Sequence, residues 1–165
     1  GDSLYLFVRA IIDPLNVNTP VYISDTIRFI VNGNVQSIML EAVGQNVTVI
    51  RSENRRVDYA DVSFSSFRPY LIFDTLVVQG NADFEPGATL YMHSGALLYI
   101  CGDVTANGTL EQPIRVLPDR TDKLFEHVPY RVASGQWGGV FLMNYAQSHR
   151  SAYYSMKNVD ILLNL

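Results

Sequence analysis

Between Leu71 and Pro118 the apolar residues come in short runs, each closed after a handful of positions by Gly, Pro, Asn or Asp. This punctuation predicts strands, because no window is long enough and polar enough on one side to make an amphipathic helix. The runs also recur as Leu76-Val77-Val78, then Leu97-Leu98-Tyr99-Ile100, then Ile114-Arg115-Val116-Leu117. A repeat of about 20 residues, one supersecondary unit per turn, is the pattern of a stacked β-solenoid. Within it Leu90, Met92, Leu98, Ile100, Val104 and Ala106 are the expected inward positions, and Gly102 marks a corner where the chain must bend.

Upstream the pattern changes. Leu4 to Ile12 is apolar enough for a strand, which Asp13-Pro14 should end because proline cannot extend a ladder. VYISDTIRFIV and VQSIMLEAVG each alternate, and Asn32-Gly33 between them is a strong hairpin signal, since both turn positions favour positive φ. Three strands with a hairpin make a fragment of a sandwich. From Val47 to Phe67 the periodicity fades, so residues 51–68 read as a connector with one short strand between Val57 and Phe64. The expected layout is residues 1–50 as sandwich strands, 51–68 as connector, and 69–165 as the start of a β-helix with a loop inserted at 118–137.

Composition supports this class. Apolar residues make up 48% and charged residues 17% of 165, enough to build a core and too apolar for disorder. Ten Tyr and eight Phe, with many Val, Ile and Thr, favour an all-β chain. A net charge of −4 without a basic stripe argues against nucleic acid as a partner. Cys101 stands alone and reads as a structural thiol. No apolar run reaches the roughly 18 residues that cross a bilayer, and Gly1-Asp2-Ser3 is not the start of a signal peptide. A leading Gly in place of Met looks like a remnant of tag removal, so an export signal or anchor is expected to lie outside the sequence.

Two stretches carry a resemblance. DTIRFIVNGNVQSIMLEAVGQNV resembles the closing hairpin of immunoglobulin-like modules in bacterial surface proteins. PYLIFDTLVVQGNADFEPGATLYMHSGALLYICGDVTANGTLEQPIRVLPDR, followed by GQWGGVFL, is similar to the right-handed parallel β-helix of exported, lipid-anchored surface proteins from Bacteroidetes-type bacteria. The joint order of hairpin, connector, PGATL, ANGT, PDR and QWGG carries the likeness from Asp2 to the end of the chain. It implies a partial immunoglobulin-like sandwich followed by a single-stranded, pectin-lyase-like solenoid, truncated at both ends. It also implies an outer-membrane or cell-surface lipoprotein whose signal and anchor are absent from this chain.

A β-helix hosts lyases, hydrolases, adhesins and inert spikes alike, so function must come from a site. The carboxylates Asp74, Asp83, Glu85, Asp103, Glu111, Asp119, Asp122, Glu126 and Asp160 are scattered, with no two on equivalent positions of consecutive turns. No catalytic residue, metal ligand set or cofactor is assigned; His93 and His149 have no spaced partner. The charged insertion from Pro118 to Trp137 is the best place for binding residues. There Asp119, Arg120, Glu126 and His127 form either a polar site or ties that hold the loop down. Trp137 is either a sugar-stacking platform or a packed ring beneath the loop. Arg51, Arg55 and Arg56 are either a solvated loop or a small anion site.

Three functions follow. The leading one is a non-catalytic structural or binding module of a cell-surface protein. A glycan-binding module using Trp137 and exposed tyrosines such as Tyr145, Tyr153 or Tyr154 is the second. The third is a fragment of a polysaccharide lyase or hydrolase whose carboxylates lie on other turns. Expected partners are a polysaccharide or a surface protein, and open strand edges favour self-association.

Overall fold

The computed structural model describes residues 5–12, 18, 20–125, 127–143 and 153–161, without the side chain of Leu124. The chain divides into two compact units, Gly1–Asn46 and Val47–Leu165. Strands account for the regular structure in both, with one 3-10 turn, and no helix among the described residues is long and apolar enough to cross a membrane.

The first unit is a hairpin of β1 (Val21–Val31) and β2 (Asn34–Gly44), antiparallel in unbroken register from Val21 opposite Gly44 to Val31 opposite Asn34. Asn32 and Gly33 turn the chain with φ of +49° and +78°, as the Asn-Gly pair requires. One face carries Val21, Ile23, Ile27, Phe29, Val31, Ile38, Leu40 and Ala42 beside the polar Asp25, Asn34 and Gln36, and the other mixes Tyr22, Ile30, Val35, Met39 and Val43 with Ser24, Thr26, Arg28, Ser37 and Glu41. The strand expected over Leu4 to Ile12 is not formed. Its described part, residues 5–12, has no ladder partner and is largely exposed, although Ile12 lies against Gly44. Apolarity makes a strand only where an edge accepts its N–H and C=O groups, and among the described residues the two hairpin strands pair only with each other.

The second unit is a stack of coils with three strands in each. The first coil holds β3 (Thr48–Ile50), β4 (Arg56–Tyr59) and β5 (Val62–Phe64), and the second β6 (Tyr70–Ile72), β7 (Thr75–Val78) and β8 (Ala82–Phe84). The third holds β9 (Thr89–Met92), β10 (Leu97–Ile100) and β11 (Val104–Asn107). In the fourth, β12 (Ile114–Pro118) is separated from β15 (Gly139–Leu142) by an insertion containing β13 (Lys123–Phe125), β14 (Val128–Pro129) and a 3-10 turn over Tyr130–Val132. β16 (Tyr154–Lys157) completes that coil and β17 (Val159–Ile161) begins another. Like strands pair in parallel, in the orders β3-β6-β9-β12-β17, β4-β7-β10-β15 and β5-β8-β11-β16. The chain is therefore all-β, with stacked parallel sheets compatible with a β-helix.

Residues 51–68, read from the sequence as a connector with one short strand between Val57 and Phe64, contribute β4 and β5, so the coils begin at Thr48. In Arg56-Val57-Asp58-Tyr59 the inward Val57 and Tyr59 alternate with charged residues that face solvent, and the charges mask the repeat. The core is a set of side-chain ladders running through the stack. Val57, Leu76, Leu98 and Val140 form one, and Phe64, Phe84 and Ala106 another. The Phe64 and Phe84 rings stack at 4.8 Å. Leu90, Met92, Leu98, Ile100, Val104 and Ala106 are all buried, as the alternation predicts.

Candidate functional site

Stacking equal coils brings residues of one corner into columns. At the corner just before β5, β8, β11 and β16, short polar side chains join one coil to the next. Asp61 Oδ1 accepts the Asn81 N–H at 2.6 Å, Asn81 Oδ1 accepts the Asp103 N–H at 3.0 Å, and Asp103 Oδ1 accepts the Tyr153 N–H at 2.9 Å. Elsewhere Glu85 Oε2 accepts the Ser66 N–H at 2.9 Å, and Asp74 Oδ2 accepts the Ser52 N–H at 3.1 Å. Each is an acceptor placed where a corner leaves a backbone donor without a ladder partner.

A second column has different chemistry. Arg51, Phe73, His93 and Asp119 each follow the last paired residue of a strand in the β3-β6-β9-β12 sheet, and their backbone bonds keep the same register: Phe73 N–H to Ile50 O, His93 N–H to Ile72 O, Asp119 N–H to Met92 O. The Arg51 guanidinium lies 5.3 Å from the centre of the Phe73 ring, and the Phe73 and His93 rings are 4.3 Å apart. His93 Nδ1 meets Asp119 Oδ2 at 2.6 Å. A carboxylate there is the acceptor, so Nδ1 carries the proton and Nε2 is left for another partner. Beside this column lies a surface depression of about 900 Å³ lined by Arg51, Glu53, Arg55, Asp74, His93 and Ser94.

Among the described residues, those expected to form a site in the insertion do not converge. Asp119, with its side chain 19% exposed, turns to His93, which is 43% exposed. Arg120 pairs with Asp122, its Nε donating to Oδ1 at 2.9 Å, and its guanidinium stacks 3.2 Å from the Tyr130 ring centre. The Arg120 hydrogen bond holds the Asp122 carboxyl below its ordinary range, against the opposing effect of burial. Thus Arg120 bonds within the insertion, while His127 sits exposed in the turn between β13 and β14. Glu126 lies outside the described residues, as do His149 and Tyr145. Trp137 is 8% exposed and belongs to the core cluster. A ring covered this way does not offer its face to a sugar, so the packed-ring alternative holds in this conformation. Tyr153 is exposed and Tyr154 half-buried.

His93 also differs from its reading as a lone histidine. Its partner is 26 residues away in sequence, a spacing that means one coil only once the coil lengths are known. Preceding coils advance this corner by 22 and 20 residues, from Ile50 to Ile72 to Met92, so no fixed period finds the pair. Arg56 likewise leaves the arginine cluster. It binds Asp58 through both Nε and a terminal nitrogen, and with the Gln79 amide that bond lowers the Asp58 carboxyl's pKa. Among the described residues no group of three or more His, Cys, Asp or Glu side chains is arranged to hold a metal ion. Comparison with family models, with curated proteins and with solved structures finds no match.

Proposed function

We propose that the chain is a non-catalytic structural or binding module of an exported bacterial surface protein. In this reading the coils wind right-handed in the pectin-lyase-like manner, and the hairpin belongs to an immunoglobulin-like sandwich. An outer-membrane or cell-surface lipoprotein is the setting that the sequence resemblance implies. The observation that carries the reading is the use made of the corner carboxylates. Asp61, Asp74, Glu85 and Asp103 each accept a backbone N–H from a neighbouring coil, which suits a scaffold. A β-helix hydrolase would instead need two acids facing each other across a cleft.

The test is to incubate the chain with plant, host and bacterial polysaccharides, recording retardation in affinity gels and release of reducing or unsaturated ends. Retardation without product, or neither, fits the module; product release overturns it. Self-association is part of the proposal, because the hairpin leaves Ile30, Val31, Val35, Ile38 and Met39 exposed on a two-stranded sheet, and such a hairpin is marginal without a covering surface. Light scattering should show mass rising with concentration above micromolar. A mass that stays monomeric throughout that range would refute it.

A further inference from the structure

The geometry points to a binding site for an acidic sugar chain, one bearing carboxylate or sulfate groups, in the depression at Arg51, Arg55 and His93. The inference rests on the binding-module reading and gives that module a ligand class. Three features of the depression select the ligand.

The first is its cations. Neither the Arg51 nor the Arg55 guanidinium is ion-paired among the described residues, whereas Arg56 and Arg120 each hold an aspartate. A guanidinium fork matches a carboxylate or sulfate with two parallel hydrogen bonds. Arg51 is already positioned over Phe73, so less side-chain freedom is lost when a ligand arrives.

The second is the orientation of His93. Asp119 holds its ring through Nδ1, and the tilted contact with the Phe73 ring at 4.3 Å restricts its rotation. Nε2 is therefore a polar atom of set direction, able to bond a sugar hydroxyl in either protonation state.

The third is the company these groups keep. Glu53 and Asp74 line the same depression and balance the formal charge of the two arginines. A dense polyanion such as a nucleic acid backbone would meet both carboxylates. A sugar chain places hydroxyls between its acid groups, so the carboxylates can accept hydroxyl protons while the guanidiniums hold the acid. Ser94 adds a further small polar group to the lining.

The experiment is titration calorimetry on the full chain with three probes of matched length: oligogalacturonate, a kappa-carrageenan oligosaccharide, which carries sulfate and no carboxylate, and a neutral cello-oligosaccharide. The acidic probes should bind and the neutral one should not; the stronger of the two acidic probes identifies carboxylate or sulfate as the recognised group. Arg55→Gln should weaken binding by about tenfold or more, the scale of a lost charge-assisted pair. Arg51→Gln should do likewise, with Arg51→Lys as a second variant that keeps the charge and loses the fork. Arg56→Gln, which disrupts only the Asp58 pair, should leave affinity unchanged, with circular dichroism confirming the fold of each. Absence of acidic-probe binding, or binding that ignores Arg51 and Arg55, overturns the site; neutral-probe binding of equal strength also overturns it. Acidic binding lost in the arginine variants but accompanied by cleavage products would sustain the site and overturn the non-catalytic reading instead.

Discussion

Replacing Gly102 by Ala tests whether coil spacing is set at the corners. Gly102 lies between β10 and β11, directly over Gly80 of the preceding coil. A β-carbon there would sit 2.5 Å from the Gly80 carbonyl carbon, closer still to its oxygen, and 2.9 Å from Asn81 Oδ1. Carbon atoms rest at about 3.5–4.0 Å, so the coils would have to separate by roughly 1 Å at this point. They are held together on both sides: Cys101 N–H donates to Val78 O at 2.9 Å, and Asp103 N–H donates to Asn81 Oδ1 at 3.0 Å. Overpacking costs about 1–3 kcal/mol, and weakening the Asp103–Asn81 bond adds up to about 1 kcal/mol. Gly95→Ala is the comparison, because a β-carbon there meets nothing within 4 Å but φ is +77°, a conformation that costs a side chain about 1 kcal/mol. At roughly 3–5 °C per kcal/mol for a unit of this size, Gly102→Ala should lower Tm by about 10 °C and Gly95→Ala by about 4 °C. Thermal melts followed by far-ultraviolet circular dichroism measure both. If Gly102→Ala melts within two degrees or so of the parent, or above Gly95→Ala, close approach at the corner does not set the coil spacing.

Other consequences are as direct. Leu98→Ala, in the ladder between Leu76 and Val140, should cost about 2–5 kcal/mol, whereas Leu110→Ala on an exposed loop should stay within about 0.5 kcal/mol; equal losses in denaturant titrations would contradict the ladder core. Trp137 is the sole tryptophan and is buried, so native fluorescence should be blue-shifted, resist acrylamide and move red on unfolding; a native spectrum like that of free indole would refute its packing. Asp58 and Asp122 have folded pKa values depressed by Arg56 and Arg120. Their contribution is therefore present above the unfolded carboxylate value of about 3.9 and is lost as pH falls through the lower folded values. Since both pairs are exposed the effect is small: Asp122→Asn should slightly flatten the decline of Tm below about pH 4, and a slope identical to the parent's would refute the link.

Alternation with a period of two places every other side chain on one side of a strand, so the inward set Leu90, Met92, Leu98, Ile100, Val104 and Ala106 followed from local order alone. The Asn32-Gly33 turn was equally local, because two successive positive φ angles select those residues. Local order was insufficient at three places. Residues 5–12 have the apolarity of a strand but pair with no edge, and pairing is a property of the neighbour. Arg56 to Phe64 reads as one short strand where there are two, because Arg56 and Asp58 face outward as charges and Ser63 as a polar group, and only registry with β7 and β8 shows Val57, Tyr59, Val62 and Phe64 to be inward. Trp137 could have been platform or core, and packing decided for core.

The candidate site lay furthest from the sequence. Arg51, Phe73, His93 and Asp119 fall 22, 20 and 26 residues apart, intervals that vary because corners and loops absorb different numbers of residues while the strands keep their register. Residue types along the chain determined that coils would form and which side chains would fill them. Which polar residues meet at a corner was decided only in three dimensions, since hydrogen bonds between parallel neighbours align strands across the stack whatever length of chain joins them.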